Sequence, residues 1–146
     1  MVRRSVLFSP GDRPEMLRKA PETGADVVVF DLEDAVAPAR KAEAREAVAD
    51  VLTSGFDPDP EVCVRVTAND AAADLDALLD ATPDSPRPDA LVLPKVEAEG
   101  DVRKLAEQAT ERPLRPRPLA ARAHRVGDCP AWRRGGHRDP RPHRWR

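Results

Sequence analysis

Apolar and polar positions along this chain follow two periods, and the period switches at regular intervals. Short apolar runs occur at Ser5-Val6-Leu7-Phe8, Val27-Val28-Val29-Phe30, Val62-Cys63-Val64-Arg65-Val66 and Ala90-Leu91-Val92-Leu93. The first is stopped by Pro10-Gly11 and the last by Pro94, so both read as strands closed by turns. The second run is continuous and β-branched, the pattern of a strand covered on both faces. Between the runs the spacing becomes helical. Asp12 is placed to cap a helix that carries Pro14 in its first turn, with Met16, Leu17 and Ala20 as its apolar stripe and Gly24 ending the unit. A second helix covers residues 38–52, with Ala42, Ala44, Val48, Val51 and Leu52 as its apolar positions. Leu75, Leu78 and Leu79 mark a third helix. Val102, Leu105, Ala106 and Ala109 mark a fourth, with Gly100 near its start.

The order is four consecutive βα units, which predicts an α/β fold of parallel strands with helices packed outside. Two architectures compete. One is an open doubly wound sheet; the other is a TIM-type (β/α)₈ barrel, of which four units would be the N-terminal half. The glycine-rich G-x-G-x-x-G turn of a dinucleotide-binding open sheet is absent from the sequence.

The periodicity stops at Pro113. Residues 1–112 carry 14 basic and 24 acidic groups, whereas residues 113–146 carry 10 and 2. The same last segment holds all three histidines, both tryptophans and 6 of the 16 prolines. The overall net charge of -2 therefore hides an acidic body and a basic Arg/Pro-rich tail. We expect residues 1–112 to form a partial barrel domain and residues 113–146 to be a disordered, non-homologous tail.

Several classes are excluded. No apolar run approaches the roughly 20 residues of a membrane span. The apolar stretch after Arg3-Arg4 is too short for a secretory h-region. Cys63 and Cys129 supply neither a disulfide framework nor metal-ligand spacing, and a reducing, cytoplasmic location is the expectation. A small acidic module whose tail binds nucleic acid is the alternative from another class. The tail has arginines for phosphates and tryptophans for stacking. It lacks a spaced repeat, however, and the acidic body repels the same polyanion, so nucleic acid is not the expected partner.

In parallel βα proteins chemistry gathers at the carboxyl ends of the strands. The second strand ends in Asp31-Leu32-Glu33-Asp34. Three carboxylates within four residues repel one another unless a cation or donors offset them. Asp31, Glu33 and Asp34 could therefore neighbour a divalent metal, directly or through waters, or cap the next turn and pair with Arg13, Lys41 or Arg45. In the third strand Val62, Val64 and Val66 face one way and Cys63, Arg65 and Thr67 the other. A charge within such a strand needs an anionic partner. For Arg65 this is either a substrate carboxylate, which suits its planar fork, or the Asp31–Asp34 cluster. Arg13 and Lys19 flank the first helix and could meet phosphates or solvent; Lys95 faces either the strand-end crevice or solvent.

Together these residues resemble the HpcH/HpaI aldolase/citrate lyase family, in its citrate lyase β-subunit-like (CitE-like) and malyl-CoA lyase branch. The matching stretches are Arg4-Ser5-Val6-Leu7-Phe8-Ser9-Pro10-Gly11-Asp12-Arg13-Pro14, Lys19-Ala20, and Gly24-Ala25-Asp26-Val27-Val28-Val29-Phe30-Asp31-Leu32-Glu33-Asp34-Ala35-Val36. Lys41, Ala44-Arg45, Val64-Arg65-Val66 and Leu93-Pro94-Lys95 follow in order. The resemblance implies a (β/α)₈ barrel, a homotrimer in full-length relatives, and Mg²⁺. It implies a carbon–carbon lyase that cleaves a 3-hydroxyacyl-CoA of the citryl-CoA or malyl-CoA class into an acyl-CoA thioester and a 2-oxo acid. Arg65 would be the catalytic residue that binds the 2-oxo acid carboxylate. Phe8, Arg13 and Lys19 would lie along the CoA thioester, and Asp31, Glu33 and Asp34 near the metal through its waters. A pyruvate-type aldolase of the same superfamily would need no CoA-flanking residues.

The family's two direct Mg²⁺ ligands, a Glu and then an Asp, come from its fifth and sixth strands. The strand that carries the Glu is expected after Leu114, where the basic tail stands, and no carboxylate lies between Glu111 and Asp128. A shifted reading frame would account for this, because Arg and Pro codons read one base later encode apolar residues. The chain alone is then expected to be truncated and catalytically inactive.

Overall fold

The computed structural model describes residues 3–54, 58–79 and 88–110. Its strands are β1 (Val6–Pro10), β2 (Val27–Asp31), β3 (Glu61–Arg65) and β4 (Ala90–Val92). They alternate with helices α1 (Pro14–Lys19), α2 (Lys41–Thr53), α3 (Ala71–Leu79) and α4 (Glu99–Thr110). All pairings are parallel and the spatial order is the chain order, β1-β2-β3-β4.

That order decides between the two architectures. Right-handed crossovers between successive neighbouring strands put every helix on the same face. The core reflects this. Val28, Phe30, Val62 and Val64 from one face of the sheet pack with Leu17, Ala44, Val48, Val51, Leu75, Leu78 and Leu79 from the helices. The other face holds a separate cluster of Val27, Val29 and Cys63, flanked by Ala90 and Val92. A doubly wound sheet would divide its helices between both faces. The chain therefore has the arrangement of the N-terminal half of a (β/α)₈ barrel, with the second face as the barrel interior. Phe30 is fully buried against the helices, worth about 1.5–3 kcal/mol. On the interior face Val6 and Phe8 are about half exposed.

Two glycines shape the first unit. Gly24 ends the turn after α1 at φ +80°, a left-handed conformation that glycine adopts without strain. Gly11 donates its N–H to the Asp31 carbonyl at 2.9 Å. A Cβ on Gly11 would meet that same oxygen and Leu32 Cδ2, each at 2.9 Å. The turn after β1 thus lies directly on the end of β2, and this contact requires the missing side chain.

Several local expectations need correction. Asp12 does not cap α1; the capping position is Arg13, without a side-chain bond, and the Asp12 carboxylate instead accepts from Arg40 Nη1 at 2.6 Å. A tertiary cation outcompetes the local backbone here. Met16 and Val102 are about half exposed, and Ala42 and Ala106 are exposed, so the buried stripes are narrower than the apolar patterns. Residues 38–40 form a 3₁₀ turn before α2, and β4 ends at Val92 rather than at Leu93. The expectations for residues 113–146 lie outside the described residues.

Gly11→Ala is expected to destabilise the fold by about 1–3 kcal/mol, the cost of forcing a group into filled space. Urea denaturation checks this. An unchanged midpoint would show that the β1 turn relaxes away from β2.

Candidate active site

Strand register places the polar residues in one row. Pro10, Asp31, Arg65 and Val92 stand side by side across the sheet at its carboxyl end. Phe8, Val29, Cys63 and Ala90 form the row beneath. With Asp31, Arg65 and Phe8 on the interior face, charge sits at the mouth and apolar groups lie below it.

Arg65 and Asp31 form a bidentate pair. Arg65 Nε donates to Asp31 Oδ1 at 2.8 Å and Nη2 donates to Oδ2 at 2.5 Å. Asp31 is buried and also accepts from the backbone N–H groups of Glu33 at 2.8 Å and Ala35 at 3.2 Å. Its carboxylate therefore turns the chain beyond β2 as well as binding the arginine. Burial pushes the Asp31 carboxyl up, but the Arg65 guanidinium and the two amides outweigh it, and the net shift is downward. Asp31, by its hydrogen bond, holds the Arg65 pKa above its ordinary value, against the desolvation that opposes it. The Arg65 guanidinium also lies 5.1 Å from the Phe8 ring centre, a cation–π contact.

A guanidinium has five N–H groups, and the Asp31 carboxylate occupies only the edge made by Nε and Nη2. The end-on edge, Nη1 and Nη2, still has hydrogens to donate. Asp34 Oδ2 lies 3.6 Å from Nη1, beyond hydrogen-bond range.

The other acids are neutralised by lysines. Lys95 Nζ donates to Glu33 Oε1 at 2.6 Å and to Asp34 Oδ1 at 3.2 Å. Glu33 is buried and accepts from the Ala68 N–H at 3.2 Å. Lys41 Nζ is 3.9 Å from Glu33 Oε2, and it donates to the carbonyls of Leu32 and Glu33. The backbone of Lys95 is left-handed, φ 52°, an uncommon state for a residue with a Cβ. Hydrogen bonds to Glu33 and Asp34 hold its ammonium protonated beyond the ordinary range.

Three carboxylates thus meet three cations, Arg65, Lys95 and Lys41. Of the expected partners only Lys41 approaches the cluster: Arg13 lies 4.0 Å from Asp12, and Arg45 binds Asp70 and Asp74 between α2 and α3. Of the two readings of Arg65, the internal pair is present. Lys95, left between crevice and solvent by the sequence, reaches across the crevice; the Leu93-Pro94-Lys95 closure of β4 was the only signal for it. Arg13 is exposed at the start of α1, and Lys19 is exposed at the far end of α1, about 9 Å along its axis. Among the described residues no three His, Cys, Asp or Glu side chains are arranged to hold a metal ion. Asp31 and Glu33 have their oxygens committed to nitrogen donors, so these residues do not fit direct coordination of Mg²⁺.

Asp31→Asn is expected to cost about 1.5–3 kcal/mol at pH 7, the value of hydrogen bonds to a charged group. The Asp31 pKa is lowered in the fold, so this stability is present above the unfolded value of 3.8 and is lost as pH falls through the folded value below it. Denaturation as a function of pH should show the gap between wild type and variant closing below pH about 4. A gap independent of pH would contradict an ionised Asp31.

The sequence profile of the HpcH/HpaI aldolase/citrate lyase family matches residues 4–122. A citrate lyase subunit beta-like protein of Deinococcus radiodurans is 36% identical over 124 residues, 81% of this chain and 42% of its own length. The mitochondrial citramalyl-CoA lyase of Rattus norvegicus is 37% identical over 109 residues, 73% of this chain and 31% of its own. The crystal structure of CitE from Mycobacterium tuberculosis in complex with magnesium, acetoacetate and coenzyme A superposes with a TM-score of 0.56. It is 41% identical, over 72% of this chain and 38% of that one. This chain therefore spans less than half the length of each of these relatives.

Proposed function

The chain belongs to the HpcH/HpaI aldolase/citrate lyase family, and on that premise we propose that its strand-end crevice is the 2-oxo acid side of a CoA-dependent carbon–carbon lyase site. The reaction is the cleavage of a 3-hydroxyacyl-CoA of the citryl-CoA or malyl-CoA class into an acyl-CoA and a 2-oxo acid. The hydroxyl proton leaves, the bond between the carbinol carbon and the acyl α-carbon breaks, and the resulting enolate takes up a proton.

One observation carries this reading. Asp31 grips Arg65 by the side-on edge, and the end-on edge keeps hydrogens to donate at the carboxyl end of the sheet. A carboxylate bound there gains two charge-assisted hydrogen bonds without releasing Asp31. Because Asp31 is fixed by two backbone amides, Arg65 is oriented before the acid arrives, which is how positioning lowers a barrier. Phe8 supports the guanidinium from below and gives an apolar surface beside it. Arg13 and Lys19 present separate exposed charges along α1, a spacing suited to an extended, phosphate-bearing chain such as CoA. Asp31, Glu33 and Asp34 act here as positioning groups for Arg65 and Lys95. Magnesium accompanies the ligands in the tuberculosis structure. The described residues of this chain do not fit its direct coordination.

Titration of pyruvate and of coenzyme A into the 146-residue chain tests the assignment. Arg65→Ala should weaken pyruvate binding at least about tenfold, while coenzyme A affinity changes little. Arg65→Lys should restore only part, because an ammonium cannot reproduce the fork. Unchanged pyruvate affinity in Arg65→Ala would leave the arginine with its structural pair alone.

A further inference from the structure

Asp34 stands where an incoming carboxylate would arrive. Its Oδ2 is 3.6 Å from Arg65 Nη1 and its Oδ1 is 3.2 Å from Lys95 Nζ. The other two acids of the cluster are buried and clamped by backbone amides: Asp31 by those of Glu33 and Ala35, Glu33 by that of Ala68. Asp34 is 62% exposed and lies between two side-chain cations. Its contact with Arg65 is electrostatic without a hydrogen bond, whereas its contact with Lys95 is a hydrogen bond. The arrangement is asymmetric: leaving Arg65 costs Asp34 little, and Lys95 is already in place to keep it.

We propose that Asp34 is an internal stand-in for the substrate carboxylate, covering the open edge of Arg65 in the free protein and passing to Lys95 when a 2-oxo acid binds. The proposal rests on the reading of Arg65 as the carboxylate site and adds a specificity device to it. A tethered competitor acts at a high effective concentration. A weakly held anion that gains a single contact does not displace it. A carboxylate that takes both end-on N–H groups does. Lys95 is then a positioning residue. It touches no substrate, and it sets the occupancy of the Arg65 edge through Asp34.

The test is an NMR titration of pyruvate into the full chain in the presence of EDTA, with circular dichroism to confirm the fold of each variant. Asp34→Asn should tighten binding about three- to fivefold, the scale of a partly exposed ion pair. Lys95→Gln, which keeps a donor for Glu33, should weaken binding by a similar factor. The double variant should match Asp34→Asn, because Lys95 acts only through Asp34. Glu46→Gln, which removes an exposed charge on α2, should change affinity less than about twofold. Unchanged or weaker binding in Asp34→Asn, or additive effects in the double variant, would overturn the proposal and leave a general field effect. Pyruvate binding that survives Arg65→Ala, or no pyruvate binding in any variant, would overturn the underlying reading instead.

Discussion

The Arg65–Asp31 pair is the contact on which the crevice depends. It joins the ends of β2 and β3 in register, and its two hydrogen bonds fill one edge of the guanidinium. Exposed ion pairs contribute little, about 0–1 kcal/mol. A pair whose acid is buried behaves differently, since removal of one partner strands the other charge. Asp31 also accepts two amides of the turn after β2. One carboxylate therefore sets both the path of the loop that carries Glu33 and Asp34 and the direction of the arginine that faces them.

The remaining charges follow from that placement. Once the turn is fixed, Glu33 is buried and needs cations, which the segment after β4 and the start of α2 supply as Lys95 and Lys41. The crevice is thus closed by contacts from β2, β3, the segment after β4 and the start of α2. Gly11 adds β1, because its turn rests on the Asp31 carbonyl. The sequential parallel order makes this possible: all four carboxyl ends lie at one edge of the sheet, and all helices lie behind it.

Much of the fold was legible in the sequence for a physical reason. Buried parallel strands need unbroken apolar runs and surface helices need a periodic stripe, and both appear at spacings that fix four βα units. The alternation in β3, with Val62 and Val64 toward the helices and Cys63 and Arg65 inward, was readable from a period of two. Sequence could not choose the partners of the charges. Asp12 satisfies every local rule for a helix cap and binds Arg40 instead, 28 residues away. Lys95 meets Glu33 across 62 residues. Such pairings depend on register between strands, which no local pattern encodes. The family resemblance placed Arg65 on the 2-oxo acid, Phe8 along the CoA thioester and Asp31 near the metal. It gave no hint that Asp31 would take one edge of the guanidinium and leave the other.

The site as proposed requires Arg65 to bind a carboxylate end-on while Asp31 keeps its grip. Nitrogen-15 NMR of the arginine side chains, with pyruvate carrying carbon-13 in its carboxylate, measures this directly. The Arg65 Nη signals should shift on addition of pyruvate and couple to the labelled carboxylate, while the Nε signal stays near its position in the free protein. A large shift of Nε would mean that the ligand displaces Asp31, and coupling to Arg13 without any change at Arg65 would place the acid outside the crevice.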